Sequence, residues 1–383
     1  MRKPRIAIVR GKFLNRFEMQ SFEPLVARYD MTAFGSMTPF HDQFAFPVVK
    51  LLSPMDLPSF PYNMPLLNRL CIDAHYLLGL EKKLKGFDLV HTAETYFHYT
   101  QQCLNAKRDG LVKKVIATVL ENIPHNNEGI WGRKAFKARA RRELDHIIAL
   151  TQKTKEALLS EGADEKKISV ISHFVDTRRF APPRDWNIRL ADEKRRTFTV
   201  LFVGRLEEYK GMLDLQDALE RLAHDADLRD LTVRTIFVGD GSKRSALQSK
   251  ISQLPKNWHS ELMSATYDDM PKIYQSADVF VAPSKPTSTW DEQYCTALLE
   301  AQASGLPIVT TRTGGMPENV GEAAVLVPPG NVGEIARATK AFLLDAGKRT
   351  QYAQLARQRA VQVHDVRIGS RKIARLYERI LST

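Results

Sequence analysis

The run Val200-Leu-Phe-Val-Gly-Arg-Leu-Glu-Glu-Tyr-Lys-Gly211 decides how the chain folds. Its first four residues are apolar and too few for a helix, which predicts a buried strand over Val200–Val203. Gly204-Arg205 follows at once, and Lys210-Gly211 opens a helical pattern over Met212–His224. A strand that feeds a helix through a short loop is half of a parallel βαβ unit. In open parallel sheets ligands bind outside the carboxyl ends of the strands. Arg205 can hold phosphate oxygens with two parallel donors and Lys210 acts as a point charge. The helix amino end adds partial positive charge, so the loop suits a diphosphate. Standing alone, such a run is more often structural than functional.

The alternation continues on both sides. Downstream it predicts strands at Thr232–Val238, Val279–Ala282 and Pro307–Thr310, and helices over Gly241–Leu254, Asp268–Gln275, Thr296–Ser304 and Val332–Leu344. Upstream it predicts strands at Arg5–Val9, Leu89–His91, Val115–Val119, Ile147–Leu150 and Ile168–Ile171, mostly rich in Val and Ile. Met37 to Tyr62, full of Pro and aromatics without a period, reads as irregular connection. Pro182-Pro183-Arg184 and the charged stretch through Arg196 read as an interdomain linker. The fold class is therefore α/β, with two Rossmann-like, doubly wound parallel-sheet domains. The first spans 1–183, the linker 184–196 and the second 197–362, with a last helical pattern near Arg367–Ile380 inside 363–383.

Bulk properties agree. A chain of 383 residues is long for one core, and 43% apolar with 26% charged residues is a globular composition. No stretch approaches the roughly 20 apolar residues that cross a bilayer, and Ile6–Val9 is too short for a signal-peptide core. Cys71, Cys103 and Cys295 are scattered and odd in number, which fits a reducing cytoplasm. The formal charge of +12 calls for an anionic partner or surface. No basic groove interleaved with aromatics on a known module is present, so nucleic acid is not expected as the partner. The basic segment 129–142, with Trp131 and Phe136, reads as a solvated basic helix or as a peripheral contact with the anionic inner face of a membrane.

The second motif is Trp290-Asp-Glu-Gln-Tyr-Cys-Thr-Ala-Leu-Leu-Glu300, ahead of Ala301-Gln-Ala-Ser-Gly-Leu-Pro307. A helix starting after Glu292 leaves that acid in the entry loop and offers the amides of Tyr294, Cys295 and Thr296 to an anion. Glu300 then lies two turns in, on an apolar face, where a carboxylate needs donors such as sugar hydroxyls. Either acid alone could equally be a structural ion-pair member.

Together the two motifs resemble family 4 of the retaining glycosyltransferases, which have the GT-B fold. The resemblance rests on G-R-L-x-x-x-K-G and E-x7-E, on Val238-Gly-Asp-Gly241, and on Ile273-Tyr-Gln-Ser-Ala-Asp-Val-Phe-Val-Ala-Pro-Ser284. It extends through Thr313-Gly-Gly-Met-Pro-Glu318 and Ala324–Gly330, is specific over about Ile147–Leu344, and is thin before that. It implies that the two domains face each other across a cleft and that the final helix returns to the N-terminal domain. It implies a retaining, metal-independent transfer from a UDP- or GDP-type nucleotide sugar to a glycan, lipid-linked or small-molecule acceptor in glycan or cell-surface polysaccharide assembly. Arg205 and Lys210 would hold the donor diphosphate, Glu292 the transferred sugar and Glu300 the ribose. Gly204, Gly239, Gly314, Gly315 and the Tyr294–Thr296 amides would complete the donor pocket, with Gly11 opposite. Many members carry a His after the strand equivalent to Val115–Val119. Here Glu121, Asn122 or His125 would meet the sugar instead. The usual Gly before the E-x7-E helix is Cys295. These changes leave a degenerate sugar-nucleotide-binding protein as one alternative, and the shared fold leaves a GT-B nucleotide-sugar epimerase as the other. Asp225-Ala-Asp227 and Asp268-Asp269 read as solvated acids at helix ends, so no metal and no other cofactor is expected.

Overall fold

A computed structural model describes residues 2–57, 72–251 and 254–383. Contacts divide the chain into two compact units, residues 1–174 with 366–383, and residues 175–365.

The N-terminal unit is built on a seven-stranded sheet of order β3-β2-β1-β4-β5-β6-β7. The strands are β1 (Arg5–Gly11), β2 (Asp30–Ser36), β3 (Val48–Leu51), β4 (Leu89–Ala93), β5 (Lys114–Val119), β6 (His146–Ala149) and β7 (Ile168–Val170). Every pairing is parallel. Ile6–Val9 and the whole of β4 are buried, because helices cover both faces and leave no polar side to alternate with. The chain order reverses between β1 and β4, and the register of β1 shifts at Gly11, at the carboxyl edge of that switch.

The C-terminal unit carries a six-stranded parallel sheet of order β10-β9-β8-β11-β12-β13. Its strands are β8 (Thr197–Val203), β9 (Thr232–Val238), β10 (Trp258–Met263), β11 (Val279–Ala282), β12 (Ile308–Thr311) and β13 (Val325–Val327). The switch here lies between β8 and β11, so the two stretches that leave those strands, from Gly204 and from Pro283, are brought side by side.

Several expectations change. Met37–Tyr62 is not wholly irregular, since Val48–Leu51 joins the sheet edge and Pro54–Asp56 forms a capped 3-10 turn, while 58–62 lies outside the described residues. The stretch 184–196 carries the helix Trp186–Ala191 inside the C-terminal unit. There Trp186 Nε1 donates to Gly305 O at 2.8 Å and Arg189 pairs with Asp278 at 2.7 Å. The helix expected over Gly241–Leu254 spans Arg244–Ile251 among the described residues. β2, β10 and the helix Ala346–Val363 went unpredicted. Cys103 and Cys295 are free thiols, and Cys71 lies outside the described residues. No described helix is long and apolar enough to cross a membrane.

The helix Val366–Ser382 belongs to the N-terminal unit. Ile373, Ala374, Leu376, Tyr377 and Ile380 join the same cluster as Ile6, Ile8 and Leu89. Phe174 lies so near Gly369 that a Cβ there would sit 2.3 Å from its ring, so Gly is required by contact rather than by backbone angle.

Candidate functional site

The site in the C-terminal unit is assembled at the β8/β11 switch. Gly204 continues the sheet edge, donating its N–H to Val238 O at 3.0 Å, and a Cβ on Gly239 (φ +147°) would fall 1.9 Å from Gly204 O. The two glycines thus let strand ends touch backbone to backbone. Arg205 is exposed, with its guanidinium 5.4 Å from the Tyr209 ring centroid. Tyr209 packs on Trp290 at 4.1 Å, and Lys210 Nζ lies 4.9 Å from the Trp290 ring. The cations of the first motif and the aromatic that opens the second are therefore tied into one wall.

Glu292 is buried at 5% exposure. Its Oε2 accepts from Lys210 Nζ at 2.6 Å and from Ser284 Oγ at 2.9 Å. Its backbone is held as firmly: Gly315 N donates to Glu292 O at 2.8 Å, and Asp291 Oδ1 takes the Glu292 amide at 2.8 Å and the Thr313 hydroxyl at 2.6 Å. Gly314 (φ +53°) passes so close that a Cβ would overlap Glu292 O at 1.8 Å. Gly314 and Gly315 therefore shape the loop that carries the acid.

Three residues on, Cys295 caps the helix Thr296–Ala303 with φ +55°. Left-handed backbone is rare for a residue with a Cβ and clusters at functional sites. Asn319 Nδ2 donates to Tyr294 O at 2.5 Å and to Cys295 O at 3.2 Å, which fixes the strained turn from outside. Burial pushes the Cys295 thiol up to about 12, so it stays protonated. The first amides of this helix have no intrahelical acceptors and face the helix amino end. Glu300 is 6% exposed and accepts from the Tyr274 hydroxyl at 2.9 Å. Burial raises its carboxyl to about 7, against the lowering effects of Tyr274 and Arg179.

In the N-terminal unit Gly11 sits at the β1/β4 switch with φ +54°, its Cβ position 3.2 Å from the Tyr99 ring. The three proposed sugar contacts after β5 are dispersed. Glu121 is drawn into its own turn, accepting from Ile123 N at 3.0 Å and Asn126 Nδ2 at 2.8 Å. Asn122 is buried, whereas His125 is exposed with φ +59° and lies 3.3 Å from Glu128. Among the described residues, His125, Glu128 and Glu161 could together hold a cation, with ligand atoms within 4.8 Å. Glu161 is already matched by Lys137 at 2.5 Å and Arg141 at 2.9 Å.

The basic helix, Arg133–Glu143, turns much of its charge inward. Arg133 pairs with Asp73 at 2.7 Å, and Lys137 and Arg141 with Glu161, while Trp131 is exposed. Sequence reading also missed Glu94, a fully enclosed carboxyl at the end of β4 with φ +56°. Only its position after a strand that ends at the ligand edge could have singled it out.

Comparison with known proteins accords with this geometry. The family described as Glycosyl transferases group 1 matches residues 197–345, and Glycosyltransferase Family 4 matches residues 26–179. The sulfoquinovosyl transferase of Arabidopsis thaliana is 28% identical over 227 residues, 57% of this chain and 41% of that protein. D-inositol 3-phosphate glycosyltransferase of Corynebacterium aurimucosum is 27% identical over 312 residues, 76% of this chain and 67% of that protein. The chain thus spans about two fifths to two thirds of these relatives' lengths. Among solved structures, Anabaena HepE in complex with UDP and glucose superposes with a TM-score of 0.76 at 19% identity, over 97% of this chain and 99% of that one. Matched in both halves, and with two Rossmann-like parallel sheets of GT-B type, the chain belongs to family 4 of the glycosyltransferases.

Proposed function

We propose that the protein is a retaining glycosyltransferase that moves a sugar from a UDP- or GDP-type nucleotide sugar to a glycan, lipid-linked or small-molecule acceptor. The observation that carries this reading is the 2.6 Å contact of Lys210 with Glu292 beside the amino end of the helix Thr296–Ala303. A cation, a buried acid and a helix amino end within one short loop system suit a diphosphate bonded to a sugar.

Arg205, Lys210 and the amides of Cys295 and Thr296 hold the diphosphate and take up negative charge as it leaves. Those donors act without a metal. Glu292 orients the hydroxyls of the transferred sugar, and Glu300 meets the ribose. Glu292 is assigned to positioning rather than to nucleophilic attack, because Lys210 and Ser284 both hold Oε2. The leaving phosphate then takes the acceptor proton on the same face, which preserves the anomeric configuration. A cytoplasmic setting with a peripheral contact to an anionic lipid surface belongs to the same reading, carried by Trp131, Lys134 and Arg142.

A thermal-shift screen across UDP-, GDP- and ADP-sugars identifies the donor, followed by release of the nucleoside diphosphate from the best one. Lys210→Ala and Glu292→Gln are expected to lower kcat/KM by about 100-fold or more, the size of a lost transition-state donor. No stabilisation by any nucleotide sugar, or full activity in both variants, would sink the assignment.

A further inference from the structure

Glu94 closes β4 at the β1/β4 switch, the edge at which parallel sheets take ligands. Its N–H donates to Thr118 O at 2.8 Å and its carbonyl accepts from Thr100 Oγ1 at 2.9 Å, which fixes the residue in left-handed backbone. Oε1 accepts the Leu120 amide at 2.8 Å. Oε2 is buried and has no hydrogen-bond partner. Leaving a buried carboxyl oxygen without a partner is unfavourable, and native proteins keep few such atoms.

The neighbourhood repeats the pattern. The Tyr99 hydroxyl is buried without a partner, and its ring packs against the Gly11 turn. His75 Nδ1 lies 2.9 Å from the Asp73 carboxylate, which fixes the proton on that nitrogen, while Nε2 is buried and unmatched. The His75 and Tyr99 rings are 6.5 Å apart, edge to face, and the Glu94 charge reaches Tyr99. A carboxyl, a phenol and an imidazole, each with a buried polar atom left unmatched, offer partners to ligand hydroxyls.

We propose that Glu94 is a sugar-binding residue of the N-terminal unit, and that its Oε2 hydrogen-bonds a ring hydroxyl of the acceptor. This rests on the transferase reading above. Burial, with the Glu121 charge beside it, raises the Glu94 carboxyl to about 8, only partly offset by the Leu120 and Glu121 amides and Lys137. Tyr96 and Tyr99, the other groups that feel its charge, stay neutral because burial raises both well above the ordinary tyrosine value. At neutral pH Glu94 therefore donates its own O–H.

The test measures UDP release from UDP-glucose, alone and with glucose, N-acetylglucosamine or myo-inositol added, for wild type, Glu94→Ala and Glu94→Gln. A tenfold or greater rise in KM for the added sugar in Glu94→Ala places the contact on the acceptor. The same rise for UDP-glucose alone, with the KM of the added sugar unchanged, overturns the acceptor assignment. Glu94→Gln keeps a carbonyl for the Leu120 amide and a neutral donor at Oε2. It is expected to recover most of the loss. Both KM values within twofold of wild type in Glu94→Ala, whatever its melting temperature, overturn the proposal. If Lys210→Ala is meanwhile inactive, the transferase reading stands without it. Absence of nucleoside diphosphate release by the wild type in every arm, with GDP-glucose and ADP-glucose in place of UDP-glucose as well, overturns both.

Discussion

Two of the acids that sequence alone singled out, Glu292 and Glu300, sit on the same loop and helix beside different partners. Glu292 faces an ammonium at 2.6 Å, whereas Glu300 accepts from a phenol at 2.9 Å and feels the charge of Arg179. Burial consequently raises Glu300 from 4.5 to about 7. Between those values the folded chain holds a proton that the unfolded chain has released, so stability falls as pH rises through that window. A ligand whose hydroxyls donate to Glu300 favours the ionised acid, so its binding strengthens as pH rises through about 7. UDP-glucose is the suitable probe, because its diphosphate is esterified at both ends and does not titrate there. Its melting-temperature increment is expected to grow from pH 6 to pH 8 in the wild type and to stay flat in Glu300→Gln. An increment that is flat in the wild type would remove Glu300 from the ribose contact.

At the scale of elements, the loops between strand and helix decide the site, and their glycines are the sharpest test. A Cβ at Gly314 would lie 1.8 Å from Glu292 O, on backbone with φ +53°. Gly314→Ala must displace the acid's own carbonyl, beyond the roughly 1–2 kcal/mol of left-handed strain. The expected result is a lower melting temperature together with at least 100-fold lower turnover. Gly330→Ala (φ +72°, open space around it) is the control, bearing the backbone strain alone. Legibility followed the same physics. Strands rich in Val and Ile, such as β8, β9 and β11, announce themselves because burial on both faces demands such residues. β10 did not, since Trp258 is its one buried residue and His259-Ser260-Glu261 interrupts the apolar run before Leu262-Met263. The helix Ala346–Val363 buries Ala346, Arg349, Ala353, Ala356 and Ala360, a face too small to mark an apolar period. In the site, Lys210, Glu292 and Glu300 were legible because their spacing is local. Glu94 was not, because its meaning comes from the β4–β5 pairing and from the amide of Leu120.

For the molecule as a whole, the N-terminal unit is discontinuous in sequence, since its last helix is made 191 residues after Phe174 leaves it, the span of 175–365. That helix fills the core rather than decorating it. Tyr377 is fully buried, its hydroxyl 2.7 Å from His91 Nδ1 and its ring 5.6 Å from Tyr29. Ser370 Oγ donates to Ser21 O at 2.8 Å, and Tyr29 donates to Ala374 O at 3.3 Å. Removing the Tyr377 ring leaves a cavity and an unmatched His91 nitrogen, a cost of about 3–5 kcal/mol for a large aromatic truncated to Ala. Because Tyr377 belongs to the N-terminal unit although it follows the C-terminal one in sequence, the damage should appear far from it in the chain. In hydrogen exchange, Tyr377→Ala is expected to raise exchange in β1, β4 and β5 while β8, β9 and β11 keep their protection. Tyr377→Phe, which keeps the ring and loses only the bond to His91, should show a smaller change in the same strands. Faster exchange confined to β8–β13 would place the last helix with the wrong unit.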